Sequence, residues 1–429
     1  MARVLLLVPS ATYRASDFLE AARRLDVEVV VGSEEPHVLA EVMGARSLVV
    51  DLDDPVAAAD AVVAHDRRYP VDAVVAVDDR GTVVAAEASR RLGLTHNPPD
   101  AVAAARDKRL LRRRLSAAEV PQPDFVELPA TAGDDEVVDL VTRLGFPCVV
   151  KPATLSASQG VLRADDPAAV VSAVARVRGI AAGAGADAGL LAESFVDGPE
   201  VAVEALLVGG RLEVLAIFDK PDPLDGPAFE ETLYVTPSRL DTPGRDAVVA
   251  ATAAATRALG LEEGPVHAEV RVSGGRAVVI EVAARTIGGL CGRVLGFGPG
   301  RSLEEVVLSH ALGVPLGELE RRPGAAGVLM VPIPGAGILL GVDGREGALS
   351  VPGIQGVEIT ATAGSRLAPP PEGGRYLGFV FAAASTPGAV ERALRAAGRH
   401  LVVRIDPSPA STEGSSGPVR ARRAGSDCR

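Results

Sequence analysis

Between Arg3 and about Asn97 the chain alternates short β-rich runs with helical ones, and this alternation restricts the folds open to it more than any other feature. Val4–Val8, Val27–Val31, Ser47–Val50 and Val71–Val77 are runs of strand length, while Ser16–Leu25 and Gly81–Leu92 carry helical periodicity. Strands that alternate with helices build a parallel sheet with helices on its faces. The turn after the first strand reads Val-Pro-Ser-Ala-Thr, without the Gly-rich turn of a dinucleotide fingerprint. At 429 residues the chain exceeds one compact core, and roughly two to four domains are expected.

Further along, residues 100–119 predict one amphipathic helix, stopped by the prolines of Val120-Pro121-Gln122-Pro123. An apolar strand Cys148–Pro152, a small-residue loop Ser156–Val161, a helix near 166–178 and a strand Leu190–Phe195 follow. Gly183 and Gly185 read as a flexible connection before that last strand. From Glu200 to about Glu281 the pattern is mostly β, interrupted by a Pro/Asp loop at 221–228 and a helix near 244–259; a helix at 302–312 closes the region. The short Gly-punctuated runs of 325–405, with one helix near 387–399, predict a small α+β unit. Residues 406–429 are rich in Pro, Ser, Gly and Arg and predict disorder.

Hydrophobic residues at 47% and charged residues at 23% are those of an ordinary globular protein. A net charge of -12 and 3% aromatics without Trp argue against nucleic acid, which needs basic surface or stacking platforms, and against anionic membrane surfaces. No run reaches the 18 or so apolar residues that span a bilayer. Cys148, Cys291 and Cys428 have no metal-ligand spacing and an odd count, which favours a reducing, cytoplasmic setting. Cys291 reads as a small buried hydrophobe.

Of 44 basic residues only Lys108, Lys151 and Lys220 are lysines. Where Arg serves every generic need for positive charge, a retained Lys marks a site that needs a compact point charge, as phosphate sites do.

Val266–Glu281 reads as a β-hairpin turning at Gly274-Gly275. Folding it about Gly275 sets Glu269 opposite Glu281 on one face. Opposed carboxylates repel unless a cation lies between them, and a hard divalent ion such as Mg²⁺ shared with substrate phosphates resolves the conflict. The period of two returns Arg285 to that face, a guanidinium suited to phosphate. The 156–161 loop can bring backbone N–H groups to phosphate oxygens. The G-x-x-x-x-G-K-[ST] motif is absent, which excludes a P-loop.

These residues resemble the ATP-grasp superfamily over about 95–310, and within it the L-amino-acid ligases and related carboxylate-amine ligases. The motifs run in order: Arg106-Asp107-Lys108; Gly145-Phe146-Pro147-Cys148-Val149-Val150-Lys151-Pro152; Ser156 to Val161; Glu193-Ser194-Phe195-Val196-Asp197-Gly198-Pro199-Glu200; His267 to Glu269; and Glu281 to Gly289. The resemblance implies a multidomain α/β and α+β fold. A Rossmann-like N-terminal domain (1–97) precedes ATP-grasp subdomains at 98–190 and 191–315, a C-terminal α+β unit at 316–405 and the tail.

By the same resemblance ATP and Mg²⁺, with Mn²⁺ able to replace it, are the cofactors. Lys108 and Lys151 would contact phosphates under a lid of Ser156, Ser158, Gln159, Gly160 and Val161. Glu193, Ser194, Phe195 and Val196 would form the adenine hinge, and Glu200 would hold the ribose. Glu269 and Glu281 would hold the metal, Arg285 would steady an acyl phosphate, Lys220 would sit on the substrate side, and Gly288 and Gly289 would approach the substrate. Many relatives have Asn where this chain has Ala283, so a side-chain ligand for a second metal is missing. His267 reads as structural. The implied reaction joins a small carboxylate to an amine through an acyl phosphate. Another ATP-grasp ligation, carboxylase-like or purine-pathway-like, and an ATP-binding regulatory protein without turnover are the alternatives, and a homodimer is one assembly open to it.

Overall fold

A computed structural model describes residues 1–10, 12–36, 43–186 and 189–407; the expected tail from 408 onward and Cys428 lie outside them. The N-terminal part contains β1 (Arg3–Leu7), α1 (Ala15–Arg24), β2 (Glu28–Ser33), β3 (Ser47–Val49), α2 (Pro55–Asp66), β4 (Ala73–Ala76) and α3 (Thr82–Leu92). The four strands form a parallel sheet in the order β3-β2-β1-β4. Side chains alternate across it: Leu5 and Leu7 pack with Ala58, Val62 and Val84 on one face, Val4 and Leu6 with Phe18 and Ala21 on the other. Helix α2 is rich in Ala and Val nearly all round, which blurs its periodicity. It is nonetheless started by Asp54, whose carboxylate accepts from Val56 N (3.1 Å) and Ala57 N (3.0 Å).

The single helix expected over 100–119 is two, α4 (Pro99–Arg106) and α5 (Lys108–Ala117). Asp107 between them has extended backbone, and its side chain caps α5 by accepting from Arg109 N at 2.8 Å. A second, antiparallel sheet follows in the order β5-β8-β6-β7, from β5 (Phe125–Leu128), β6 (Cys148–Pro152), β7 (Leu162–Ala164) and β8 (Leu190–Ser194). It is covered by α6 (Asp134–Leu144) and α7 (Pro167–Gly183). Gly183 is the last residue of α7 rather than part of a loop; Gly185, with φ +67°, makes the turn after it.

The largest sheet has eight antiparallel strands in the order β13-β12-β9-β10-β11-β14-β18-β16. Its members are β9 (Glu200–Val208), β10 (Arg211–Asp219), β11 (Leu233–Thr236), β12 (Gly264–Ser273), β13 (Arg276–Ala283), β14 (Ala325–Val331), β16 (Ile354–Ile359) and β18 (Gly378–Ala384). Because β14 pairs with β11, the sheet runs across the boundary expected at 315/316. The helices α4, α5 and α8 (Thr242–Leu259) cover one face. The other face meets Ile287, Cys291, Phe297 and α9 (Leu303–Ala311). Strands β15 (Gly337–Asp343), β17 (Arg366–Leu367) and β19 (Val402–Asp406), with the helices α10 (Arg345–Leu349) and α11 (Pro387–Gly398), complete the C-terminal part.

Among the described residues no helix is long and apolar enough to cross a membrane. A cavity of about 480 Å³ lies where the three larger sheets meet, lined among others by Thr12, Tyr13 and Arg14 after β1 and by Asp78, Asp79 and Arg80 after β4. These loops are at the carboxyl ends of parallel strands, where α/β sheets place ligands.

Candidate active site

The β12–β13 hairpin turns at Gly274-Gly275, with φ of +55° and +77°, the left-handed pair that a two-residue turn between twisted strands requires. Near the turn Val270 pairs with Val279, one residue out of the register obtained by folding about Gly275. A bulge at Ile280 then corrects the offset, and Glu269 stands opposite Glu281. Both carboxylates line the cavity.

Three cations face them. Lys108, placed at the start of α5 by the Asp107 break, reaches within 3.7 Å of Glu281 and donates to Leu155 O at 2.7 Å. Lys151 on β6 pairs with Glu193 at 2.7 Å. Arg285 lies 3.5 Å from Asp79, which arrives from the N-terminal sheet. Burial would raise the Glu281 carboxyl, but Lys108, Lys151 and Arg285 outweigh it and hold it low. Burial pushes the Glu269 carboxyl up as well; Lys220 and His267 pull it down to about 2. Two ionised carboxylates, sharing a face beside a cation-rich cavity, suit a hard cation with oxygen preference.

Glu193, expected at the hinge, is the centre of a buried ion group. Its carboxylate also receives Arg112 Nε at 2.8 Å and Nη2 at 3.1 Å. Burial and the neighbouring Arg112 and Lys108 together leave the Lys151 ammonium below its usual range despite Glu193, so Lys151 is a buried cation whose one counterion is shared. Polyphosphate would relieve that deficit. Groups of the other residues expected at the hinge have partners within the protein: Phe195 N donates to Pro147 O (3.1 Å), Val196 O accepts from Arg271 (2.6 Å), and Ser194 Oγ accepts from Asp124 N (3.0 Å).

Glu200, expected at the ribose, accepts from Lys220 at 2.6 Å through one oxygen and from Arg271 at 2.8 Å through the other. Lys220, expected on the substrate side, is enclosed by Glu200, Glu231 and Glu269 and does not line the cavity. The loop residues Ser156, Ser158, Gln159 and Val161 line it; Gly160 does not, and its N–H donates to Pro371 O at 2.8 Å. Gln159 Nε2 donates to Glu372 O at 2.9 Å, so the loop is fastened to the 369–374 segment. Ala157 and Ser158 both sit at positive φ, a strained pair for residues bearing a Cβ.

Gly288 and Gly289 border the cavity. Gly289 has φ +62°, and a Cβ there would fall 2.7 Å from Phe379. Cys291 is buried, its thiol pushed up by burial, with Sγ 3.5 Å from Met330 Sδ. His267 is fixed by Glu204 (3.2 Å) and lies 3.7 Å from Glu269.

Sequence reasoning missed Arg112, Glu204, Glu231 and Arg271, and missed three of the chain's four tyrosines, Tyr13, Tyr234 and Tyr376, all of which line the cavity. Arg112 had a signal: with Lys108 and Leu115 it makes one helical face. Glu231 had none, because its neighbours in space come from strands far apart in the chain.

Comparison with known proteins agrees with this architecture. Residues 144–294 match the ATP-grasp domain, 19–96 the ATP-grasp N-terminal domain, and 329–406 the L-amino acid ligase C-terminal domain 2. Alanine–anticapsin ligase of Bacillus subtilis is 26% identical over 239 residues, covering 51% of this chain and 49% of that enzyme. The chain thus spans about half the length of that relative. The crystal structure of L-amino acid ligase from Bacillus licheniformis superposes with a TM-score of 0.76 at 26% identity, over 95% of this chain and 99% of that one. Carboxyaminoimidazole ribonucleotide synthase from Aspergillus clavatus, complexed with ATP, has the same fold, with a TM-score of 0.72 at 17% identity over 93% and 99% of the two chains. With its N-terminal and central parts matched by ATP-grasp domains and its C-terminal part by an L-amino acid ligase domain, the chain is a homologue of the ATP-grasp ligases and has their fold.

Proposed function

We propose that this protein uses ATP to activate a small carboxylate as an acyl phosphate and passes the acyl group to an amine, with amino acids as the substrate class. The observation that carries this reading is the convergence of Glu269 and Glu281 with Lys108, Lys151 and Arg285 on one cavity. The C-terminal match to L-amino acid ligases and the structural likeness over nearly the whole chain support the choice of amine and carboxylate.

Glu269 and Glu281 would hold magnesium, which when bound supplies charge neutralisation at the β- and γ-phosphates. Lys108 and Lys151 bind and orient the triphosphate, whose oxygens would share the counter-charging that Glu281 and Glu193 now do alone. Arg285, steadied by Asp79, faces the oxygens of the transferring phosphoryl group as the carboxylate attacks. The 156–161 loop, closed against 369–374, keeps water from the acyl phosphate until the amine arrives. Tyr13, Tyr234 and Tyr376, with Met330 and Cys291, wall the rest of the cavity and would meet the substrate side chain.

The experiment is ADP and phosphate release measured across paired amino acids. The expected result is ADP formation that requires both partners and produces an amide. Glu281→Gln should lower turnover at least about a hundredfold with unchanged circular dichroism. ATP binding without ADP formation by any pair, or normal turnover of the variant, would refute the reading.

A further inference from the structure

Lys220 directly follows β10 with its side chain only 3% exposed, and its ammonium lies 2.6 Å from Glu200 Oε1, 2.5 Å from Glu231 Oε1 and 2.9 Å from Glu269 Oε1. An ammonium has three donors, and these oxygens, brought from β9, the segment before β11, and β12, use all three. Single ligand atoms of the same carboxylates lie within 4.8 Å of one another, the kind of oxygen cluster in which hard divalent ions sit. The surroundings hold the carboxylates in place: Arg271 on Glu200 at 2.8 Å, and the Tyr234 and Tyr376 hydroxyls on Glu231 at 2.7 and 3.3 Å. A guanidinium spreads its donors over a planar fork and cannot aim them from one atom at three converging oxygens, which accounts for Lys here in a chain that otherwise uses Arg.

We propose that Lys220 is a resident cation that occupies this three-carboxylate cluster, closes it to divalent ions and confines metal binding to the Glu269–Glu281 face. Lys220 is then a positioning residue: by holding Glu269 Oε1 it leaves the other oxygen of that carboxylate for an ion shared with Glu281.

The test is a count of bound ions, so it stands whether or not the protein forms amides. The full chain without nucleotide is titrated with terbium(III), an oxygen-seeking ion whose emission a nearby tyrosine sensitises; the chain has no Trp, and Tyr234 and Tyr376 both donate to Glu231. Lys220→Met should gain one saturable ion absent from the wild type, about tenfold tighter or more than any remaining step because a like charge has left the cluster. Lys220→Met combined with Glu231→Gln should lose it again. A folded Lys220→Met protein without the extra ion overturns the proposal. If Lys220→Met is recovered unfolded, wild type and Glu231→Gln decide instead: equal ion counts support the proposal, and one ion fewer in Glu231→Gln overturns it.

Discussion

Glu193 shows how a single carboxylate can organise a binding site. Arg112, wholly buried, gives it two hydrogen bonds and sends two more to Val279 O (3.3 Å) and Ile280 O (2.6 Å) on β13. One guanidinium thus ties the lysine-bearing sheet to the bulged strand that carries Glu281. Removing one member of a buried ion group strands the other, so Arg112→Met should destabilise by about 3–5 kcal/mol at pH 7 in urea unfolding. Glu193 adds a pH signature. Burial opposes its ionisation, but Arg112 and Lys151 lower it from 4.5 to about 2. A carboxyl depressed on folding contributes stability that is fully present above 4.5 and lost as pH falls toward 2. The gap between wild type and Arg112→Met should therefore narrow between those pH values, and a gap of the same size at pH 3 and pH 7 would contradict this account.

At the scale of elements, two irregularities place residues of the candidate site. The break at Asp107 turns Lys108 from a mid-helix residue into the first residue of α5, whose N–H donates to the O of Ala153, the residue just after β6 (2.9 Å). Asp107→Ala should cost about 1 kcal/mol of stability through the lost cap and lower ATP affinity about tenfold, the equivalent of ~1.4 kcal/mol. Asp107→Asn keeps the cap and should bind ATP nearly as wild type does. Thermal unfolding and nucleotide titration measure both, and wild-type affinity in Asp107→Ala would disprove the link. The second irregularity is the Ile280 bulge. Sequence pattern sets Glu269 against Glu281 by folding about Gly275, but the chain reaches that pairing through a tight two-residue turn and a compensating bulge, which periodicity alone does not reveal. The helix break escaped notice for a related reason: the apolar stripe runs on through Asp107, and what interrupts it is a cap together with the bond from Lys108 N to Ala153 O, a partner distant in the chain.

At the scale of the molecule, the parallel N-terminal sheet was legible because both of its faces are buried and its strands read as near-continuous apolar runs. The eight-stranded sheet was not legible as a unit, since β11 and β14 pair across about ninety residues of chain and no local pattern records such a partnership. That Lys108 and Lys151 line the cavity accords with their standing out in the composition, whereas Glu231, Arg271 and the tyrosines depended on long-range pairing. Lys108, Lys151 and Lys220 are each at most 8% exposed, and they are all the lysines in the chain. The outside of the described protein therefore presents no side-chain amine to an electrophile. Acetic anhydride should acetylate these three positions far more slowly in the folded protein than in urea, with Lys108 and Lys151 further shielded by nucleotide and Lys220 indifferent to it, as peptide mass spectrometry would read; rapid modification of the native protein would contradict this. A protein proposed to make reactive acyl groups is thus one whose outer surface offers no lysine to intercept them.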